Sequence, residues 1–171
     1  MATIKAEDVK KLRDTTGAGF MDCKDALTKS GGDVNKAMAI LKEKGLKVAA
    51  KKASRTANKG MICSYVHHDS RIGVLVEVNC ETDFVARTED FQKFAKDLAL
   101  QIASVSPKYL KREDAPKDLS EEEVKQACLL EQPFVKDPSM TIKDYLTNVI
   151  AKIGENIVVR RFTRYQLGDA E

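Results

Sequence analysis

Ile72, Val74, Val76 and Val78 recur at a spacing of two, and that alternation narrows the fold more than any other feature of the chain. Residues two apart on a strand share a face, so this run must have a cover over one side of a sheet. The run before it, Met61 to Val66, is also rich in β-forming residues. His67-His68-Asp69-Ser70 between the two predicts a hairpin.

A long helix is predicted directly downstream. Phe91, Phe94, Ala95, Leu98, Ile102 and Val105 fall on one stripe of a long amphipathic helix. All four prolines, Pro107, Pro116, Pro133 and Pro138, come after it and predict an interrupted, loop-rich stretch. Inside that stretch Ser120 and Glu123 form a capping-box pattern that opens a short helix to about Glu131. Ile142, Tyr145, Leu146, Val149 and Ile153 mark another helix, ended by Gly154. Ile157 to Tyr165, with Arg160, Arg161 and Arg164, reads as a final strand. A hairpin and a further strand separated by helices indicate an α+β core over 60–171.

The first third has a different period. Val9 and Leu12 are apolar at i, i+3, with Glu7 and Asp8 in the first turn, where the helix dipole favours acids. Thr15 to Gly19 breaks that helix. Phe20, Cys23, Ala26 and Leu27 line a second one, which Gly31-Gly32 stops. Asp33 is placed to cap a third, carrying Val34, Ala37, Met38 and Leu41, with Gly45 as its C′ residue. Three short helices over 1–46 make a mini-domain. From 47 to 59 the composition shifts to Ala, Lys and Arg, and Lys47, Lys51, Lys52, Arg55 and Lys59 recur near helical spacing. This reads as a basic linker helix, either a solvated face or a stripe toward RNA or an acidic partner.

Composition excludes several classes. The 171 residues are 43% hydrophobic and 32% charged, which describes a globular chain, and no apolar run is long enough to span a membrane. The N-terminus has neither a signal-peptide core nor an acid-poor transit pattern, so a cytoplasmic protein is expected, or the mature form of a matrix or stroma protein. A net charge of +3 and the absence of Trp do not argue for a nucleic-acid binder. Cys23, Cys63, Cys80 and Cys128 form no C-x-x-C pair and suit buried free thiols. His67 and His68 are the only histidines, and nothing in the pattern makes a metal site of them. Thr16-Gly17-Ala18-Gly19 follows a helix, not a strand, so it is a turn and not a phosphate cradle. No cofactor and no catalytic residue are expected.

The most informative segment is Glu77-Val78-Asn79-Cys80-Glu81-Thr82-Asp83-Phe84-Val85-Ala86-Arg87. A strand delivers the chain to a tight bend and a helix leaves it at about Thr88. Phe84 there is either a lid over the core or a projecting aromatic that anchors an interface.

That segment resembles a signature of the elongation factor Ts family. So does the run from Leu12 to Leu27, Leu-Arg-Asp-Thr-Thr-Gly-Ala-Gly-Phe-Met-Asp-Cys-Lys-Asp-Ala-Leu. Leu129 to Val135 and Lys152 to Arg161 extend the similarity, in order, over nearly the whole chain. The resemblance implies a ubiquitin-associated-like (UBA-like) three-helix domain joined to a dimerisation-type α+β core. It implies no enzyme, but a guanine-nucleotide exchange factor that acts on elongation factor Tu. Thr82, Asp83, Phe84 and Val85 would enter the partner's G domain and disturb Mg²⁺ and phosphate binding. Lys10, Arg13, Phe20 and Met21 would grip that domain from the N-terminal helices. Longer family members hold a second core half and a coiled-coil excursion, and this chain is too short for both, with an abbreviated stretch from Pro107 to Glu123. A homodimer is therefore expected, pairing apolar sheet surface on the final strand (Ile157, Val159, Phe162) and on Ile72 to Cys80. The rival class is an RNA-binding translation accessory module resting on the basic stripe and the Arg160–Arg164 cluster. Against it, the stripe lacks interleaved aromatics, and no specific nucleic acid is expected. A third class, a thiol enzyme, requires a cysteine with a lowered pKa.

Overall fold

The computed structural model describes residues 4–169, so the outermost ends of the expected first and last segments, 1–3 and 170–171, lie outside it. In chain order the elements are α1 (Ala6–Thr16), α2 (Phe20–Lys29), α3 (Val34–Lys52), β1 (Lys59–Val66), β2 (Ile72–Cys80), α4 (Asp83–Ala86) and α5 (Glu89–Val105). Then follow α6 (Glu121–Ala127), β3 (Pro133–Phe134), β4 (Asp137–Thr141), α7 (Ile142–Ile153) and β5 (Val158–Gln166). The fold is α+β, with a three-helix N-terminal region and a small antiparallel sheet, as expected. The described residues form two compact units, one from 4–55 with 147–156 and one from 56–146 with 157–169.

In the first unit Val9, Leu12, Cys23, Ala26, Leu27, Ala37 and Leu41 make the core. Gly17 ends α1 in the left-handed region (φ 67), its N–H bonded to the Arg13 carbonyl at 2.8 Å. Asp33 caps α3 through the Lys36 amide at 3.0 Å, as the sequence predicts. Phe20, Val34 and Met38 depart from their expected stripes and stay exposed. Phe20 and Val34 are first residues of their helices, where a side chain leans back past the helix end and finds nothing to cover it.

Gly45 does not end α3, which runs on to Lys52. A Cβ at Gly45 would lie 3.4 Å from Thr147 Cγ2 and 3.9 Å from Ala151 Cβ, so the glycine serves close packing against α7. The first residues of the basic stretch are thus the end of α3, and Lys59 opens β1. Lys52 donates to the carbonyl of Gly154, whose φ of 84 terminates α7.

The second unit is organised by a sheet of order β1-β2-β5, antiparallel throughout. Rows Tyr65–Val74–Arg164, Cys63–Val76–Phe162 and Met61–Val78–Val159 share the inner face, which α5 covers with Phe91, Phe94, Leu98 and Ile102, all fully buried. The sequence reading expected Ile157, Val159 and Phe162 to be left bare, but Ile157 and Val159 are buried and Phe162 is half-buried, because this side of the strand faces α5. The uncovered side of the sheet is the opposite one, with Ile62, Val66, Leu75 and Tyr165 exposed. β1 begins with an unusual contact. Gly60 has φ 137, and a Cβ there would stand 2.1 Å from the Val78 carbonyl oxygen.

Ser120 and Glu123 form the predicted capping box, but α6 stops at Ala127 instead of reaching Glu131. The Lys108 and Tyr109 amides take the Ala127 carbonyl, at 2.8 and 3.0 Å, and Tyr109 bridges to Cys128 in parallel. The short β3–β4 pair was not legible among the prolines. Asp97 on α5 is a buried carboxylate. It accepts from Lys93 Nζ (2.7 Å), Lys136 Nζ (2.6 Å) and Tyr145 Oη (2.8 Å). Burial alone would raise its pKa, but the three donors outweigh that and hold it below the usual carboxylate range.

Gly60→Ala is expected to cost about 2–4 kcal/mol in chemical denaturation, from backbone strain plus the clash with Val78. Gly73→Ala, in the same sheet but with open space around a Cβ, should stay within roughly 0.5 kcal/mol. Equal effects at the two glycines would contradict the close approach.

Asp97→Asn should lose about 2 kcal/mol at pH 7, since hydrogen bonds to a charged group contribute roughly 1.5–3 kcal/mol. Folding lowers this carboxyl's pKa. Its stabilisation is therefore complete above the unfolded value of about 3.9 and is lost as pH falls through the folded one. Unfolding curves of the two proteins should converge at low pH, and a constant gap down to pH 2 would show that charge has no part in it.

Candidate partner-docking site

β2 ends at Cys80 and α5 starts at Glu89, so eight residues must turn the chain from sheet to helix. They do so with a single helical turn, α4. Thr82 caps it, its Oγ1 accepting from the Val85 amide at 3.4 Å. Thr88 closes the other side. Its hydroxyl donates to the Val85 carbonyl at 2.8 Å and accepts from the Phe91 amide at 3.4 Å, which caps α5 as well. Lys59 Nζ lies 4.0 Å from Asp83 Oδ2 across the end of the hairpin.

The consequence for Phe84 is direct: its side chain is 85% exposed, so it covers no core. Thr82 and Val85 are half-buried and Asp83 is exposed beside the ring. The four residues singled out from the sequence are thereby presented together on one hydrogen-bonded turn. The lid reading of Phe84 is excluded within this chain.

In the first unit Lys10 and Arg13 are exposed at i, i+3 on α1. Phe20 and Met21, 48% and 60% exposed, stand at the start of α2, just beyond the Gly17 turn. Asp22 ties that start to α3 through Lys44 at 2.6 Å. All four residues are thus exposed, two cations on α1 and two large apolar groups at the start of α2.

The chemically reactive side chains stand as follows. Burial pushes the thiols of Cys23, Cys63 and Cys128 up, the opposite of what a reactive thiolate needs. His67 Nδ1 is 2.9 Å from Tyr65 Oη at the hairpin tip, and among the described residues no three metal-binding side chains converge. Among the same residues no helix is long and apolar enough to cross a membrane.

The family model for Elongation factor TS matches residues 4–127 and 120–169. The chain belongs to the elongation factor Ts family. Elongation factor Ts of Caldanaerobacter subterraneus subsp. tengcongensis is 49% identical over 97% of this chain and 98% of its own length. The corresponding proteins of Thermodesulfovibrio yellowstonii (98% of each chain) and of an Anaeromyxobacter species (99% of this chain, 90% of the relative) are each 48% identical. The alignments run to 195–198 residues, more than the 171 present here, so these elongation factor Ts sequences carry residues with no counterpart in this chain. Membership in the elongation factor Ts family makes this a guanine-nucleotide exchange factor of translation elongation. Thr88 was named in the sequence only as the place where the helix starts, and its capping role was missed. Thr88 carried a usable signal, a threonine directly before two acids at a helix start.

Proposed function

We propose that the protein binds elongation factor Tu in its GDP form and promotes release of GDP by inserting the Thr82–Val85 turn into the partner's G domain. The observation that carries this reading is the 85% exposure of Phe84 on a turn braced from both sides. A large ring held in water at a fixed position loses little entropy on docking and gains apolar burial. Lys10, Arg13, Phe20 and Met21 form the second contact with the same partner. The protein works by binding and transforms no substrate covalently. Four free buried thiols suit a reducing compartment such as the cytoplasm.

The mechanism is a coupling between two binding sites. Mg²⁺ and the phosphate-binding loop of the partner hold GDP, and insertion of Phe84 with Asp83 favours a conformation that holds both poorly. Linkage makes this reciprocal, so bound GDP weakens the exchange factor by the same free energy. A thousandfold acceleration needs about 4 kcal/mol off the barrier, whereas burying one Phe contributes roughly 1.5–3 kcal/mol. The turn and the N-terminal contacts must therefore act together. Phe84→Ala should slow stimulated release of fluorescent GDP at least tenfold with an unchanged melting temperature. A normal rate in that variant would remove the ring from the mechanism.

The working form is a homodimer that buries the open face of the sheet. Ile62, Val66, Leu75 and Tyr165 crowd that face around the Glu77–Arg161 pair, which is closed at 2.8 Å. A two-fold axis through the face would cover these apolar groups with their own copies. A stable pair of this kind buries roughly 1,200 Å² or more in total. Sedimentation equilibrium at micromolar concentration should give twice the 19.0 kDa chain mass, and Leu75→Glu should give the monomer. A wild-type monomer at that concentration would rule the dimer out.

A further inference from the structure

A four-residue helix cannot hold its own shape, because the first turn of a helix fixes several dihedrals for very few hydrogen bonds. The turn that carries Phe84 is of this kind, so its position must come from the flanks. Thr82 and Thr88 supply polar clamps, Thr88 from an exposed position where water competes for its bonds. A further brace starts from a buried side chain. Cys80, the last residue of β2, is 0% exposed and points to the inner face with Val74, Val76 and Val78. Its thiol donates to the Thr82 carbonyl at 3.1 Å. The same carbonyl accepts the Ala86 amide at 3.3 Å, the bond that closes α4.

We propose that Cys80 is a positioning residue for nucleotide exchange: its S–H bond fixes the Thr82 peptide and, through α4, the direction in which Phe84 projects. Three features support this role. Cys80 pairs with Lys59 on the last rung of the hairpin, so its Cα is held by the sheet. Lys59 also reaches Asp83, so both ends of that rung grip the turn. The thiol is a weak donor, but it comes from a fully buried side chain, and the carbonyl it serves is the one on which the turn closes. The chemistry asked of position 80 is therefore a small side chain that donates one hydrogen bond. Serine meets that requirement, while alanine and valine do not.

The inference rests on the reading of Thr82–Val85 as the exchange element, and the experiment separates the two. Cys80→Ser, Cys80→Ala, Cys80→Val and Phe84→Ala are compared in the full chain at 20 °C, using fluorescent-GDP release from elongation factor Tu over a range of exchange-factor concentrations. Loss of one hydrogen bond of about 1 kcal/mol corresponds to a roughly fivefold change. The expected result is a plateau rate about fivefold lower for Cys80→Ala and Cys80→Val. Half-saturating concentrations should stay within about twofold, and Cys80→Ser should keep the wild-type rate. Combining Cys80→Ala with Phe84→Ala should slow release no further than Phe84→Ala alone, because the cysteine acts through the ring. Valine refills the volume that alanine empties, so a packing defect would separate those two variants. Normal rates in Cys80→Ala beside a slow Phe84→Ala would overturn the role of Cys80 and leave the wedge standing. A serine variant as slow as alanine, or additive losses in the double variant, would overturn it too. A normal rate in Phe84→Ala would remove the exchange element itself, and the inference with it.

Discussion

Everything in the second unit depends on one contact, that of α5 across the inner face of the β1–β2 hairpin. Phe91, Phe94, Leu98 and Ile102 on the helix and Val74, Val76 and Val78 on the strand are fully or almost fully buried. Burying each of the large side chains contributes on the order of 1.5–3 kcal/mol, so strand and helix are locked as one body. The chain between them is then short and pinned at both ends. It can neither drift into solvent nor fold back into a core that is already full. A rigid aromatic projection is what remains, and the threonine caps on either side of it follow from the same geometry.

The sheet shows how a single strand period can serve two purposes. Positions 74, 76 and 78 face α5, and positions 73, 75 and 77 face outward with their partners on β1 and β5. A bulge between Glu77 and Val78 shifts the register of β5, leaving Arg160 exposed and bringing Arg161 onto Glu77. That ion pair lies among Ile62, Leu75 and Tyr165 on the open face. With the Arg161 side chain 79% exposed, the pair itself adds little attraction.

Much of this was legible in the sequence, and the failures have physical causes. The hairpin, α5, α7, β5 and the caps at Asp33 and Ser120 follow from period and capping chemistry, which are local. Gly45 was read as a helix stop because a glycine needed for a close helix crossing looks the same, and its neighbours Thr147 and Ala151 lie about a hundred residues away. The end of α6 depended on amides at Lys108 and Tyr109, also remote. Alternation identified two faces of the sheet but not which one α5 would cover, so Ile157, Val159 and Phe162 were assigned to the open side. At the site, residue types alone left Phe84 open between lid and anchor. The resemblance favoured the anchor, and exposure excludes the lid.

The join around α6 has a consequence of its own. The family match breaks and resumes within 120–127, and the relatives are aligned over more residues than this chain possesses. On either side of that break the backbone is stitched to itself: the Lys108 and Tyr109 amides to Ala127, the Leu129 amide to Tyr109, and the Leu130 amide to Leu110. Arg112 secures the carbonyls of Pro116, Lys117 and Leu119, and a small cluster of Ala115, Val124 and Cys128 fills the bend. A seam closed so completely behaves as a splice. A change of length in a bend bonded to itself in this way falls on a surface connection, and chains tolerate that far better than a change within a sheet or a long helix.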